Sequence, residues 1–140
     1  MFLDVVTPRG RLLSEEVVEV TAPGMLGEFG VLPGHIPFLT GMKPGVLRWR
    51  TATGGDEGKL AVGPGFVEVA AGDRVVVLAE LGARVSDIDV QVAEKERSEA
   101  QSKLDHFESD DAGLRADLEA KKAWAEARLA TVAEGAAAAH

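Results

Sequence analysis

The stretch FVEVAAGDRVVVLAELGARVSDIDVQVA, residues 66–93, contains the point at which the chain changes its mode of folding. Its first part holds two apolar segments, 66–70 and 74–79, around the turn Ala71-Gly72-Asp73, the pattern of paired strands. Beyond Ser86 that punctuation almost disappears. All six prolines and 14 of the 16 glycines precede residue 86, so the signals that keep segments short belong to the first part of the chain alone.

Working back toward the N-terminus, runs rich in Val, Leu and Phe recur at 2–6, 17–21, 46–51 and 59–62. They are separated by Pro8-Arg9-Gly10, Pro23-Gly24, Lys43-Pro44-Gly45 and Gly54-Gly55-Asp56, which pair the fixed φ of proline, or an Asp, with a glycine that tolerates positive φ. This spacing predicts an all-β sandwich of about eight to ten short antiparallel strands over residues 1–85. Working forward, Ser86 with Asp89 three residues on forms a capping-box pattern, which predicts a helix from near Asp87. Ala93, Ala100, Leu104 and Phe107 make a narrow stripe on it, interrupted by Arg97. Ser109-Asp110-Asp111 then supplies turn and cap chemistry before a second helix with Leu114, Leu118, Ala125, Leu129 and Val132 on one face. The prediction is an antiparallel two-helix hairpin over residues 86–134, with residues 135–140 as a flexible tail. Its apolar stripes are thin for the ordering entropy of so many residues, so the hairpin is expected to be marginal by itself.

Composition narrows the function. A chain of 140 residues with a formal charge of −8 repels a phosphate backbone, which argues against nucleic-acid binding. The acidity is concentrated in the helical part, where residues 86–140 carry 7 basic and 13 acidic groups against 8 and 10 in residues 1–85. Cysteine is absent and the three histidines, His35, His106 and His140, lack ligand spacing, so neither a structural metal nor a disulfide framework is expected. The longest run free of Asp, Glu, Lys and Arg is 14 residues, 29–42, and contains two prolines, which excludes a membrane-spanning helix there. Asp4 so close to the start leaves no basic region of a signal peptide, and the chain is expected to stay in a cytoplasmic or equivalent compartment. No G-x-S-x-G, Walker-type, His-Glu-x-x-His or Cys-x-x-Cys arrangement is present, and Asp4, Glu28, His35 and Ser14 have no catalytic spacing. Catalysis by the isolated chain, and a requirement for a cofactor, are therefore not expected.

One segment is far more specific than composition. Residues 27–40 read GEFGVLPGHIPFLT and are followed by Met42-Lys43-Pro44-Gly45. Gly27, Gly30 and Gly34 allow sharp turns and Pro33 and Pro37 stiffen the backbone, so the segment reads as a rigid surface loop presenting Glu28 and His35. It resembles the signature of epsilon subunits of rotary, F-type ATP synthases of the bacterial type, and the likeness extends through Leu3-Asp4-Val5-Val6-Thr7-Pro8 and Val75-Val76-Val77-Leu78-Ala79. That resemblance implies a non-catalytic rotor subunit of the proton-translocating ATP synthase, lying peripherally on the cytoplasmic face of the energy-transducing inner membrane. By the same resemblance the sandwich contacts the gamma subunit of the central stalk and the membrane rotor ring, with Glu28 facing the ring and His35 at or near gamma.

Relatives of this kind can bind ATP through an I/L-D-x-x-R-A motif on the first helix. Here the stretch is Ile88-Asp89-Val90-Gln91-Val92-Ala93, in which Ile88, Asp89 and Ala93 match but Val92 stands where the arginine belongs. Valine neither offsets phosphate charge nor donates hydrogen bonds, so ATP binding is not expected. The resemblance also implies a hairpin that can extend toward the catalytic head and inhibit ATP hydrolysis, with Arg115, Lys121, Lys122 and Arg128 as head-contacting residues. A solubilising role for those four charges is the plainer reading of their scatter around the helix. A nucleotide-sensing module and a free-standing adaptor are the competing functions, and a hydrolase ranks last for want of a nucleophile and base.

Overall fold

The computed structural model describes residues 1–52 and 55–138, with side chains through residue 133. Nine strands come first: β1 (Phe2–Thr7), β2 (Gly10–Gly24), β3 (Gly27–Val31), β4 (Phe38–Met42), β5 (Gly45–Thr51), β6 (Glu57–Val62), β7 (Gly65–Ala70), β8 (Arg74–Ala79) and β9 (Gly82–Arg84). A single 3-10 turn (Val85–Asp87) leads into α1 (Val90–Asp105) and α2 (Ala112–Ala138). This bears out the sandwich followed by a helix pair. The turn read at Gly54-Gly55-Asp56 lies partly outside the described residues, as do the last two positions of the expected tail. The remainder of that tail up to Ala138 continues α2.

The strands run in the order β1-β8-β7-β4-β2-β5-β6-β9, with β3 also on β2 and β1 also paired to β2. Two expectations about the strands need correction. β2 is not short: its first half pairs with β1 and its second half with β5 and β3, so one bent strand passes from layer to layer. Nor are all pairs antiparallel, because β1 lies parallel to β8. Between the layers, residues of β1 to β8 meet in one core that includes Leu3, Val5, Val20, Met42, Leu47, Leu60, Val62, Val67, Val75 and Val77.

β5 and β6 are covered on both faces. Leu47 and Leu60 are register partners that point into the core, while the next pair, Val46 and Ala61, is also buried yet stands outside it. Side chains alternate along a strand, so Val46 and Ala61 face outward, and α2 lies against this side of β5 and β6. α2 is accordingly buried on two sides. Leu118 and Ala125 are buried, and so are Ala127 and Thr131, about half a turn round the helix from Leu118. The Thr131 hydroxyl is satisfied within the helix by donating to the Ala127 carbonyl at 2.7 Å. On α1 only Ala93 and Ala100 are buried.

The helix start differs from the capping box read at Ser86. α1 begins at Val90 and its N-cap is Asp89, whose carboxylate accepts from the Val92 N–H at 3.2 Å. Ser86 instead lies in the 3-10 turn, where the cap residue Arg84 makes no side-chain hydrogen bond to the turn. An Asp that accepts at N3 of its own helix satisfies an orphan donor directly, which a Ser one turn earlier cannot do. At the second helix the expectation holds, with the Asp111 carboxylate accepting from Leu114 N–H at 3.0 Å. Leu114, placed on the buried face by its spacing, is exposed.

Candidate functional site

The segment 27–40 is not a single loop. Gly27–Val31 pairs with the end of β2, and Phe38–Met42 pairs with β7, leaving residues 32–37 as the connection. The strand character was hidden because two of the five residues of β3 are glycines, although Glu28 out and Val31 in follow a two-residue period. The connection and the Met25-Leu26 turn between β2 and β3 meet at one end of the sandwich. There Met25, Leu26, Glu28, His35, Phe38 and Leu39 line one shallow groove.

Sequence reasoning did not single out the apolar side chains of this end. Leu26 is fully exposed, Ile36 is 78% exposed, and Met25, Leu32 and Leu39 are each more than half exposed. Met25 lies over Gly41, where a Cβ would come within 2.8 Å of the Met25 Cγ, and its N–H donates to the Gly41 carbonyl. The apolar surface continues from Gly41 across the outer layer. Gly41 is the register partner of Phe66, Phe66 of Leu78, and Leu78 of Val6, with Phe66 and Leu78 about half exposed. A second groove joins Phe66 and Leu78 to Val6, Thr7 and Pro8. An exposed apolar surface that continues over several strands is uncommon where nothing covers it, and makes this face the candidate for contact with another surface. The clue in the sequence was Met25-Leu26 between two glycines, since a two-residue turn that needs no core contact is usually polar.

Glu28 and His35 are thus brought to one end, and neither is free. Glu28 is ion-paired with Arg48 of β5 at 2.7 Å, across the intervening strand β2. The His35 Nδ1 lies 3.0 Å from the Ile36 carbonyl, which can only accept, so that nitrogen carries the hydrogen. The ring sits 5.1 Å from Phe38, which in turn meets Phe29 edge-on at 5.6 Å. An aromatic stack therefore ties the connection to the core behind it.

Asp4 lies on the same outer layer but is buried, flanked by Arg74 at 3.0 Å and Arg11 at 3.8 Å. A hydrogen bond from Ser14 holds its carboxyl below the usual value of 3.8, with further help from Arg74 and Arg11 and against an opposing push from burial. It is a satisfied structural carboxylate. Among the described residues no cluster of His, Cys, Asp and Glu could hold a metal ion, and no helix is long and apolar enough to cross a membrane.

The basic residues of α2 lie apart from this end. Arg115 bonds to Glu119 at 3.2 Å and lies over Phe107, while Lys122 pairs with Glu126, each within one helical turn. Arg128 pairs with Glu96 of α1 and stacks over Trp124 at 5.3 Å. Lys121 lines the cleft between the helices beside Glu96 and Glu99. At the head of α1, Ile88 closes the 3-10 turn, Asp89 is committed to the cap, Val92 is exposed and Ala93 is fully buried.

Comparison with known proteins gives a consistent result. Residues 1–84 match the family described as ATP synthase, Delta/Epsilon chain, beta-sandwich domain. An ATP synthase epsilon chain of Desulfosudis oleivorans is 48% identical over 103 residues, 74% of this chain and 76% of the relative. One from Geotalea uraniireducens is 43% identical over 113 residues, 81% of this chain and 80% of the relative. Among solved structures, a chain in the Euglena gracilis mitochondrial ATP synthase, OSCP/F1/c-ring, superposes with a TM-score of 0.75 at 26% identity, covering 99% of this chain and 80% of that one. A chain from the Tetrahymena thermophila central stalk and c-ring shares the fold, with a TM-score of 0.61.

Proposed function

The chain belongs to the ATP synthase epsilon-chain family, and from that premise we propose that it is a non-catalytic rotor subunit that joins the gamma subunit to the membrane rotor ring. The observation that carries this reading is the apolar surface running from Leu26 and Met25 across Phe66 to Leu78, which a free chain would leave in water. Gamma occupies the face bearing His35, Leu39 and Phe66. The ring meets the end bearing Glu28, where the Arg48 partner holds the carboxylate in place while leaving it half exposed. The subunit lies peripherally on the cytoplasmic face of the energy-transducing membrane. Incorporation into a complex stripped of its own epsilon chain tests this. Ile36→Asp with Phe66→Asp should weaken incorporation at least tenfold while the free chain still unfolds cooperatively, its melting temperature lowered only by loss of the buried half of Phe66. Unchanged incorporation would remove this surface from the interface.

The hairpin has a second role in the same reading, which is to restrain ATP hydrolysis by meeting the catalytic head. Of its four candidate cations, Arg128 alone is ion-paired across to α1 among the described residues, so separating the helices would release Arg128 from Glu96 while Arg115 and Lys122 kept their partners on α2. Removing residues 86–140 should then raise hydrolysis by the assembled complex, with the difference shrinking at high salt. Equal rates with full-length and shortened chains at low salt would confine the hairpin to bracing the sandwich. Nucleotide sensing finds no support, since Asp89 is engaged as a cap, the Val92 N–H is spent on that cap, and the Val92 side chain offers no donor.

A further inference from the structure

We propose that Asp73 is a positioning residue that fixes the connection 32–37 for docking, an inference that rests on the reading of that connection as part of the partner interface. Asp73 sits in the three-residue turn between β7 and β8, far from His35 in sequence. Its Oδ1 accepts from the Gly34 N–H at 2.8 Å across a separation of 39 residues. Its own carbonyl accepts from the Phe2 N–H, also at 2.8 Å, so the same residue holds the start of β1.

The backbone at Asp73 makes this bond informative. Asp73 has φ of +55°, and among the described residues it is the one non-glycine with positive φ. Gly72 before it has φ of +82°. A second glycine would suit this left-handed position better, and an L side chain stands there at a local cost. Asp and Asn tolerate the conformation best among the others, and only a side chain can supply the acceptor that Gly34 uses. Gly34 itself has φ of +83°. The two positive-φ positions, of which only Asp73 carries the cost of a side chain, therefore meet in one hydrogen bond that joins the β7–β8 turn to the residue preceding His35.

Without that bond the connection keeps, among the described residues, local contacts: its internal turn, His35 N–H to the Leu32 carbonyl at 3.2 Å, the His35 Nδ1 bond to the neighbouring Ile36 carbonyl at 3.0 Å, and the ring contact with Phe38. Pro33 and Pro37 stiffen the segment but contribute no N–H of their own. Asp73 thus selects one placement of His35 and Ile36 before a partner arrives, which lowers the ordering cost of docking.

Two substitutions in the full-length chain separate the acceptor from the backbone. Asp73→Gly keeps positive φ and removes the acceptor, whereas Asp73→Asn keeps both an oxygen acceptor and tolerance of the conformation. Amide exchange at Gly34 and titration into ATP synthase complexes depleted of epsilon but retaining gamma are read for each. Asp73→Gly should accelerate Gly34 exchange and weaken binding roughly three- to tenfold, with an unchanged or slightly higher melting temperature. Asp73→Asn should stay within about twofold of the parent in both. Unchanged Gly34 exchange in Asp73→Gly would overturn the tether, and faster exchange with unchanged affinity would overturn positioning. Failure of the parent chain itself to bind the depleted complex would overturn the interface reading, while the exchange experiment would still decide whether Asp73 holds the loop.

Discussion

The sandwich fully buries Leu3, Met42, Leu47, Val62 and Val77, whereas the described buried positions of the helices are Ala93, Ala100, Leu118, Ala125, Ala127 and Thr131. Burying a branched aliphatic side chain contributes about 1.5–3 kcal/mol and a single carbon about 0.8 kcal/mol, so the two regions differ in how they are held. One has a core of its own. The other is an alanine seam between α1 and α2, laid by the outer side of α2 onto Val46 and Ala61. Residues 108–117, around the turn between the helices, are exposed throughout, so support is concentrated at the end of the hairpin nearest the sheet. A region held this way is the less stable of the two, and its local opening need not unfold the rest.

The most extensive expected effect, loss of helical order through a whole region, comes from separating the two regions. A chain ending at Arg84 should still unfold cooperatively, with stability lower by about 1–3 kcal/mol because Val46 and Ala61 become exposed. The isolated segment 86–140 should lose most of its helical circular dichroism signal, since short helices without tertiary burial are marginal in water. A strongly helical isolated hairpin, or a shortened sandwich with no thermal transition, would erase the contrast.

Next in extent, and confined to single side chains, is the asymmetry of matched truncations. Leu47→Ala should cost about 2–5 kcal/mol in urea unfolding, because its site is enclosed on every side. Leu118→Ala removes as many atoms but from the alanine seam. It should move the global midpoint by less than about 1 kcal/mol and show instead as faster amide exchange confined to α1 and α2. Equal global costs would mean that the helices belong to one cooperative core.

The contrast also explains what the sequence could disclose. Strands β1, β5, β7 and β8 were legible because runs of Val and Leu lie between glycine turns whose conformation leaves little choice. β3 was not, because glycines occupy the positions where alternation would be visible. The consecutive apolar pairs Val46-Leu47 and Leu60-Ala61 carried the message that β5 and β6 are covered on both sides, but a run of that kind does not say what covers the second side. Alanine is nearly silent about direction, so the second buried side of α2, with Ala127 and Thr131, left no stripe to read. At the candidate site, Glu28 and His35 stood out through a family pattern, while Met25, Leu26 and Ile36 did not, because an apolar side chain does not reveal from sequence which way the fold turns it.

A smaller effect distinguishes the sandwich by pH. The Asp4 carboxyl titrates lower in the folded chain than in the unfolded one, so its contribution is present above the unfolded value and is lost as pH falls through the folded one. Unfolding midpoints of the parent should therefore drop on acidification below about pH 4. In Asp4→Asn that component of the drop should vanish, at a cost near neutrality of about 1–3 kcal/mol from the weakened contacts with Arg74 and Ser14. Identical acid profiles for the two proteins would show that Asp4 does not couple folding to pH.

The smallest effect is the sharpest test of how the helices begin. Ser86 and Asp89 both precede apolar helical residues and both offer a side-chain oxygen, so sequence alone favours the Ser with its acidic partner. The cap is Asp89, bonded to Val92 N–H, and the intervening 3-10 turn absorbs Ser86. Asp89→Ala should destabilise α1 by about 1 kcal/mol, the usual loss when a capping side chain goes. Ser86→Ala should change stability by less than about 0.5 kcal/mol, as substitutions without a lost contact do. Because α1 rests on α2 and not on the core, the Asp89 effect should register as faster exchange along α1, with the unfolding midpoint of the sandwich unmoved. Global destabilisation by Asp89→Ala would instead tie α1 into the sandwich. A larger effect from Ser86→Ala than from Asp89→Ala would move the helix start back to Asp87.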